Sequence, residues 1–285
     1  MIYFCADDYG LDNLSSMRIE ECIQKGALNK VSVFPNFSKV DLQKLEKVRL
    51  SLHLNLVEGR CMAPIEEIGL LVDNKGNLKH TFTGLLKLSL LHKNEFEMQV
   101  YKEIRAQVSA YKNLLPNDVP FCIDSHQHTH MIPAVFKALV KVLRDEEIKV
   151  EYMRIPSEPI LPFLKTPSLY FTYSAVNVIK QLLLKFFWFI NKKTAKDLSF
   201  STALFFGILF SGKMDEKRVK KILPKYIKLA NKEQKDIEVL FHPGYLSNNE
   251  ADFKDKNIAF CEFYFSKNRK TEFDSVMNIE ERSVR

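Results

Sequence analysis

The chain has 285 residues and a mass of 33.2 kDa, which suits one large domain spanning residues 1–285. Hydrophobic residues at 46% and charged residues at 27% are ordinary for a folded protein, and they exclude disorder, collagen-like repeats and a disulfide-stapled miniprotein. The net charge of +7 would suit nucleic acid or anionic lipid, but cations and acids are interleaved on helix-like segments such as 217–235, so solvated faces and no nucleic-acid partner are expected.

In chain order, Ile2–Ala6 is the first strand candidate and ends at Asp7-Asp8. Asn13–Gln24 reads as a helix stopped by Gly26. Val31–Phe34 and Arg49–Leu54 are further strands, the latter holding His53. A charged helical stretch, Glu95–Leu115, leads to the strand Phe121–Ile123 and then to Asp124-Ser125-His126. Pro133 marks a first helical turn before Val135–Arg144, which is apolar at helical spacing. Val150–Ile155 and Ile237–Phe241 complete the strands. Strands alternating with helices imply an α/β fold with a mostly parallel sheet. Asp7, Asp8, His53, His126, Arg154 and His242 lie at or near the ends of separate strands. A closed (β/α) barrel gathers such ends at one site whereas an open sheet scatters them, so a TIM-type barrel is expected.

The span 168–214 breaks this rhythm. It is rich in Phe and Leu, holds the only tryptophan, Trp188, and reads as a helical insertion. Leu182, Leu183, Phe186, Phe187 and Ile190 suggest a wide apolar face, either packed on the core or capping the active site. Leu182–Ile190 and Leu198–Phe210 are too short or too interrupted to span a bilayer, which leaves peripheral membrane contact at most. Met1 runs straight into a strand with no basic n-region, so no signal peptide is expected. Five cysteines without C-x-x-C fit a reducing cytoplasm.

Three histidines crowd into Asp124-Ser125-His126-Gln127-His128-Thr129-His130. Histidine is the commonest metal ligand at neutral pH, and alternate residues of an extended segment point the same way. A hydrolytic ion needs about three protein ligands and an open position, so not all three histidines can serve. His126, nearest the strand end, is the candidate ligand; His128 would support it or touch substrate, and His130 would be structural. Asp124 could accept a hydrogen bond from a histidine ring. Adjacent aspartates on an extended chain point oppositely, so one of Asp7 and Asp8 would bind metal and the other act as base. His53 is either a buried core histidine or a third ligand. His242, followed by Pro243-Gly244-Tyr245, is placed to act as a general acid. Arg154 would anchor a substrate oxygen or pair with a carboxylate. No G-x-G-x-x-G, P-loop or G-x-S-x-G occurs.

Taken together, these motifs resemble the YdjC/ChbG-like carbohydrate deacetylase family. Ala6-Asp7-Asp8-Tyr9-Gly10 is similar to its N-A-D-D-[FY]-G opening, and Ser51-Leu52-His53-Leu54-Asn55-Leu56 to its G-x-H-x-x-L strand. Asp124 to His130 is similar to its D-S-H-[QH]-H-x-H run, with Arg154-Ile155-Pro156 and His242-Pro243-Gly244-Tyr245 matching later motifs. Cys5 stands where asparagine is usual, and Cys122 where histidine is frequent. The resemblance implies a modified TIM-type barrel that removes acetyl groups from N-acetylated sugars. Asp8, His53 and His126 would hold one divalent ion and Asp7 would be the base. Asp124, His128, Arg154 and Tyr245 would bind substrate or support the ligands. Mg²⁺ follows from the family, while a His₂Asp set also suits Zn²⁺ or another transition metal. The substrate would be an acetylated amino sugar, oligosaccharide or glycolipid, and a homo-oligomer is compatible with this. The competing readings are a PHP- or amidohydrolase-like phosphoesterase or amidase, and a non-catalytic glycan-binding barrel.

Overall fold

Each strand forms where a short run of apolar residues ends in a polar turn or a helix cap. A computed structural model describes residues 1–37, 40–116, 118–246 and 264–279; Cys261 lies outside them. The strands are β1 (Ile2–Tyr9), β2 (Lys30–Val33), β3 (Arg49–Leu54), β4 (Phe121–Ser125), β5 (Val150–Met153), β6 (Ala203–Phe206) and β7 (Asp236–Phe241). They form one sheet in the order β5-β4-β3-β2-β1-β7-β6, and every neighbouring pair is parallel. Parallel strands need crossover connections, and these are largely helical: α1 (Asn13–Lys25), α2 (Phe82–Leu91), α3 (Lys93–Leu114), α4 (Pro133–Asp145), the short α5 (Leu161–Leu164), α6 (Ala175–Asn191), α7 (Glu216–Glu233) and α8 (Lys267–Asn278).

Local chemistry sets the helix ends. The Asp12 carboxylate accepts the Leu14 N–H at 2.8 Å and starts α1; the Gly26 N–H returns to the Cys22 carbonyl and ends it. Pro133 opens α4, whose Val135, Phe136, Leu139, Val142 and Leu143 are buried. On α7, Val219, Ile222, Leu223 and Tyr226 face inward while Lys217, Lys220, Lys228 and Lys232 are exposed, the solvated face expected from its charge pattern.

The expected closed TIM-type barrel is corrected to a curled seven-stranded sheet. Its outer strands, β5 and β6, pair in the backbone through a single isolated bridge at Ser201, just ahead of β6. Ser201 donates its N–H to the Glu151 carbonyl and accepts that of Met153. Curling is clear from polar groups that meet across the interior. Glu238 on β7 takes Lys30 of β2 at 2.8 Å, Arg154 after β5 at 2.7 Å, and the Tyr152 hydroxyl of β5. All four are buried. Despite burial, the Arg154 and Lys30 cations hold the Glu238 carboxyl down at about 2.

The span 168–214 is likewise not all insertion. It includes α6 but also β6, an edge strand of the sheet itself. Four apolar residues, Ala-Leu-Phe-Phe, are too short a run to separate strand from helix by periodicity.

Candidate active site

The carboxyl ends of β1, β3 and β4 bring Asp8, His53 and His126 together, with one ligand atom from each lying within 4.8 Å of the others. All three are buried. The expectation that Asp7 and Asp8 point oppositely is overturned by the backbone. Asp8 has φ +73°, and the register of β1 on β2 slips between Ala6 and Tyr9. Both carboxylates therefore turn toward His53, whose Nε2 lies 3.4 Å from Asp8 Oδ1 and 3.9 Å from Asp7 Oδ2. Gly10 completes this turn at φ +94°, where a Cβ would come within 2.6 Å of Val40.

The His126–His130 segment is also not extended. Gln127 and His128 have φ of 51° and 59°, so the three histidines diverge. His126 places Nδ1 3.0 Å from Asp8 Oδ1 and Nε2 3.5 Å from Glu58 Oε1. His128 is buried edge-on to Phe205, with its Nδ1 lacking a hydrogen-bond partner. His130 spans the Ser125 hydroxyl and the Arg154 carbonyl.

Each acid has its own clamp. Arg154 donates Nη1 and Nη2 to Asp7 at 2.7 and 2.9 Å. Although burial opposes it, the Arg154 guanidinium and His53 hold the Asp7 carboxyl well below the usual range. Of the two roles expected for Arg154, the geometry is that of the carboxylate partner, since its side chain is wholly buried. Asp8 is likewise kept ionised against burial by Arg269, which donates at 2.5 Å, and by His126. Asp124 accepts from His53 Nδ1 and from the Ser32 hydroxyl, both at 2.7 Å. Burial opposes it, but Asp7, Asp124 and Asp8 raise the His53 pKa; Asp124 fixes the ring through Nδ1 and leaves Nε2 as the ring atom that faces Asp7 and Asp8.

The donor set fits a divalent cation. His53 Nε2 and His126 Nε2 are buried without hydrogen-bond partners. Burial should depress His126, yet Glu58 and Asp8 push it up to about 10. A field that negative suits a cation. One carboxylate and two imidazoles are ligands for zinc or another transition metal as readily as for magnesium.

The cluster opens into a cleft of about 640 Å³, lined by Asp7, Glu58, His126, His128, Lys180 and His242 among others. His242 follows β7 and places Nδ1 3.3 Å from the buried Glu272 carboxylate, which also accepts the His242 N–H at 2.6 Å. Lys180 of α6 has its pKa lowered to about 8 by burial, with Asp7 and Glu158 opposing. Tyr245 is not among the lining residues. Its ring packs on Phe273 at 5.3 Å, with the Arg18 guanidinium 4.7 Å from the ring centre. Gly244 packs close to Ser15 on α1, where a Cβ would come within 3.0 Å of the Ser15 side chain. Cys5 Sγ lies 3.2 Å from Arg154 Nη2, behind the ligands, and Cys122 accepts from Arg49 away from the site.

Sequence reasoning missed Glu58, Lys180, Arg269 and Glu272. Glu58 followed a quoted motif and was within reach. The other three lie on helices, where a single charged residue among many gives no local signal.

A profile of the YdjC-like protein family matches residues 1–283. The carbohydrate deacetylase of Danio rerio is 32% identical over 162 residues, covering 55% of this chain and 50% of that protein. That of Clostridium beijerinckii is 24% identical over 166 residues, covering 56% and 63%. The chitooligosaccharide deacetylase of Proteus mirabilis is 24% identical over 158 residues, covering 53% and 58%. The chain thus spans about half the length of the first of these relatives. Among solved structures, a protein of Enterococcus faecalis V583 provisionally named for cellobiose-phosphate cleavage has the same fold. Its TM-score is 0.66 at 16% identity, covering 99% of this chain and 92% of that one.

Proposed function

The chain belongs to the YdjC-like family, and from that membership and its buried acid–histidine cluster we propose a metal-dependent carbohydrate deacetylase that releases acetate from an N-acetylated amino sugar. The observation that carries this reading is the convergence of Asp8, His53 and His126, all buried, each offering one ligand atom within 4.8 Å of the others. In this reading Asp8, His53 and His126 hold one divalent ion. Such an ion supplies Lewis-acid activation of the acetamide carbonyl and of water.

The chain's own residues then divide the work. Asp7, ionised and fixed by Arg154, takes a proton from the attacking water. Asp124 holds the His53 ring in one tautomer, with its own second oxygen tied to Ser32. His242 lines the same cleft and gives a proton to the departing amine, while Glu272 orients its ring. The cleft volume of about 640 Å³ is within the range of small-molecule sites and large enough for a sugar ring with its acetamide.

The test is acetate release from a panel of chitooligosaccharides, acetylglucosaminyl lipids and nucleotide sugars, with and without chelator. Chelator-sensitive acetate release is the expected result. Phosphate release from a phosphoester with no acetate from any sugar would overturn the reading and favour a phosphoesterase.

A further inference from the structure

Helix α6 is apolar on both faces, burying Leu184 and Phe187 inward while further apolar side chains point outward. Its inward face carries Gln181 and Asn191, both buried, whose amides donate to the Glu158 and Met131 carbonyls at 2.9 and 2.8 Å. Its outward face carries Leu182, Phe186 and Phe189, exposed by 56%, 57% and 61%. Ile179 and Ile190 extend that stripe at helical spacing, and Phe171, just before the helix, is wholly exposed. An ordinary surface helix turns a polar face outward, and so large an exposed apolar stripe marks a contact surface.

The charge around it is one-sided. Between Glu158 and Asp197 the chain has no acidic residue, yet it carries Lys165, Lys180, Lys185, Lys192, Lys193 and Lys196. All of these except Lys180 are exposed, and the Lys192 ammonium lies 4.5 Å over the Phe189 ring. Asp197, the first acid beyond, is paired with Arg144 at 3.3 Å. In a symmetric dimer this face would meet itself and set lysine against lysine. An anionic lipid surface offers what the face lacks: apolar depth for the phenylalanines and negative charge for the lysines. The stripe also runs into the cleft, because Val176 and Ile179 are both exposed and part of its lining. Among the described residues no helix is long and apolar enough to cross a membrane, so the contact is with a surface.

We infer that the outward face of α6 seats on an anionic lipid surface and that the cleft takes its acetylated sugar as the headgroup of a lipid. The first half stands on the face alone; the second rests on the deacetylase reading. Sedimentation with vesicles of phosphatidylcholine, alone or with about 30% phosphatidylglycerol, tests the first half without any turnover. The wild-type chain should bind the anionic vesicles and lose that binding as salt is raised. Neutral vesicles, and the Phe186→Glu/Phe189→Glu variant on anionic ones, should bind at least tenfold more weakly. Because both side chains are exposed and outside the cleft, the variant should keep its melting temperature and its turnover of a short soluble sugar. It should lose turnover of the same sugar presented on a lipid in vesicles. Failure to sediment with anionic vesicles, equal binding by the variant, or a solution dimer that the variant dissolves would each overturn the inference. Vesicle binding without acetate release from any substrate would sink only the deacetylase reading.

Discussion

Replacing His130 by glutamine tests whether the third histidine of the run is purely structural. Its Nε2 lies 2.9 Å from the Arg154 carbonyl, which can only accept, so Nε2 carries the proton. Nδ1 therefore accepts the Ser125 hydroxyl at 2.5 Å, while Ser125 Oγ accepts the His130 N–H at 3.0 Å. A second proton on the ring would oppose two donors in a site closed to water. Burial accordingly lowers this histidine from 6.5 to about 4. The folded value is below the unfolded one, so the unfolded chain gains the proton first on acidification. The stability this residue contributes is complete above pH 6.5 and is lost as pH falls from 6.5 toward 4. The whole change corresponds to about 3 kcal/mol. His130→Gln retains an amide donor for the Arg154 carbonyl but does not titrate. Loss of the Ser125 bond should cost it about 1–2 kcal/mol at pH 8. Urea unfolding of both proteins at half-unit steps from pH 8 to 4.5 should then show the difference shift by about 2 kcal/mol or more toward the variant, reaching zero or reversing sign, on the same linkage arithmetic. A constant difference across that range would refute the neutral, tautomer-fixed assignment.

Removing His53 or His126 by alanine should weaken divalent-metal affinity by at least about 100-fold, read by titration of chelator-stripped protein with Zn²⁺ and Mn²⁺. Unchanged affinity in both variants would remove the ion from this cluster. Asp7→Asn should leave metal content intact while lowering kcat by roughly 10²-fold or more, and metal loss would instead make Asp7 a ligand. His242→Ala should slow poor leaving groups more than good ones; equal slowing would exclude proton donation to the amine. Phe187, buried and stacked on Phe82, should cost about 3 kcal/mol or more of stability as Phe187→Ser, read by denaturant unfolding, with equal effect on soluble and lipid-linked substrates.

Much of the site could be read from the chain because its acids and histidines follow apolar runs, and parallel strands deliver such ends to one side. That rule gathers Asp7, Asp8, His53 and His126 at one end, while the choice of Asp8 and His53 as ligands is what the family resemblance implies. What eluded the rule was backbone conformation. Alternation assigns Asp7 and Asp8 to opposite sides, and only the left-handed φ at Asp8 brings both carboxylates to His53. The same failure spread His126, His128 and His130 over three environments. Closure of the sheet was overestimated because β6, hidden in a Phe-rich stretch, pairs with β5 in the backbone only by one isolated bridge at Ser201. Helix α6 misled for another reason: Leu182 and Phe186 look like core but are exposed, while the packed face joins Leu184 and Phe187 to Gln181 and Asn191, two polar positions that no hydrophobic pattern would select.

The central place of β1, between β2 and β7, has a consequence for synthesis on the ribosome. One edge of this first strand stays without its neighbour until residues 236–241 have emerged. Its two aspartates wait as well, Asp7 for an arginine 147 residues downstream and Asp8 for one 261 residues downstream. At ordinary elongation rates the second interval is about 13–50 s, long enough for an open strand edge to need shielding by chaperones. The nascent chain should therefore acquire tight metal binding only after α8 is made, and a stalled product ending before Arg269 would hold all three histidine-and-acid ligands while leaving Asp8 without the cation that fixes it.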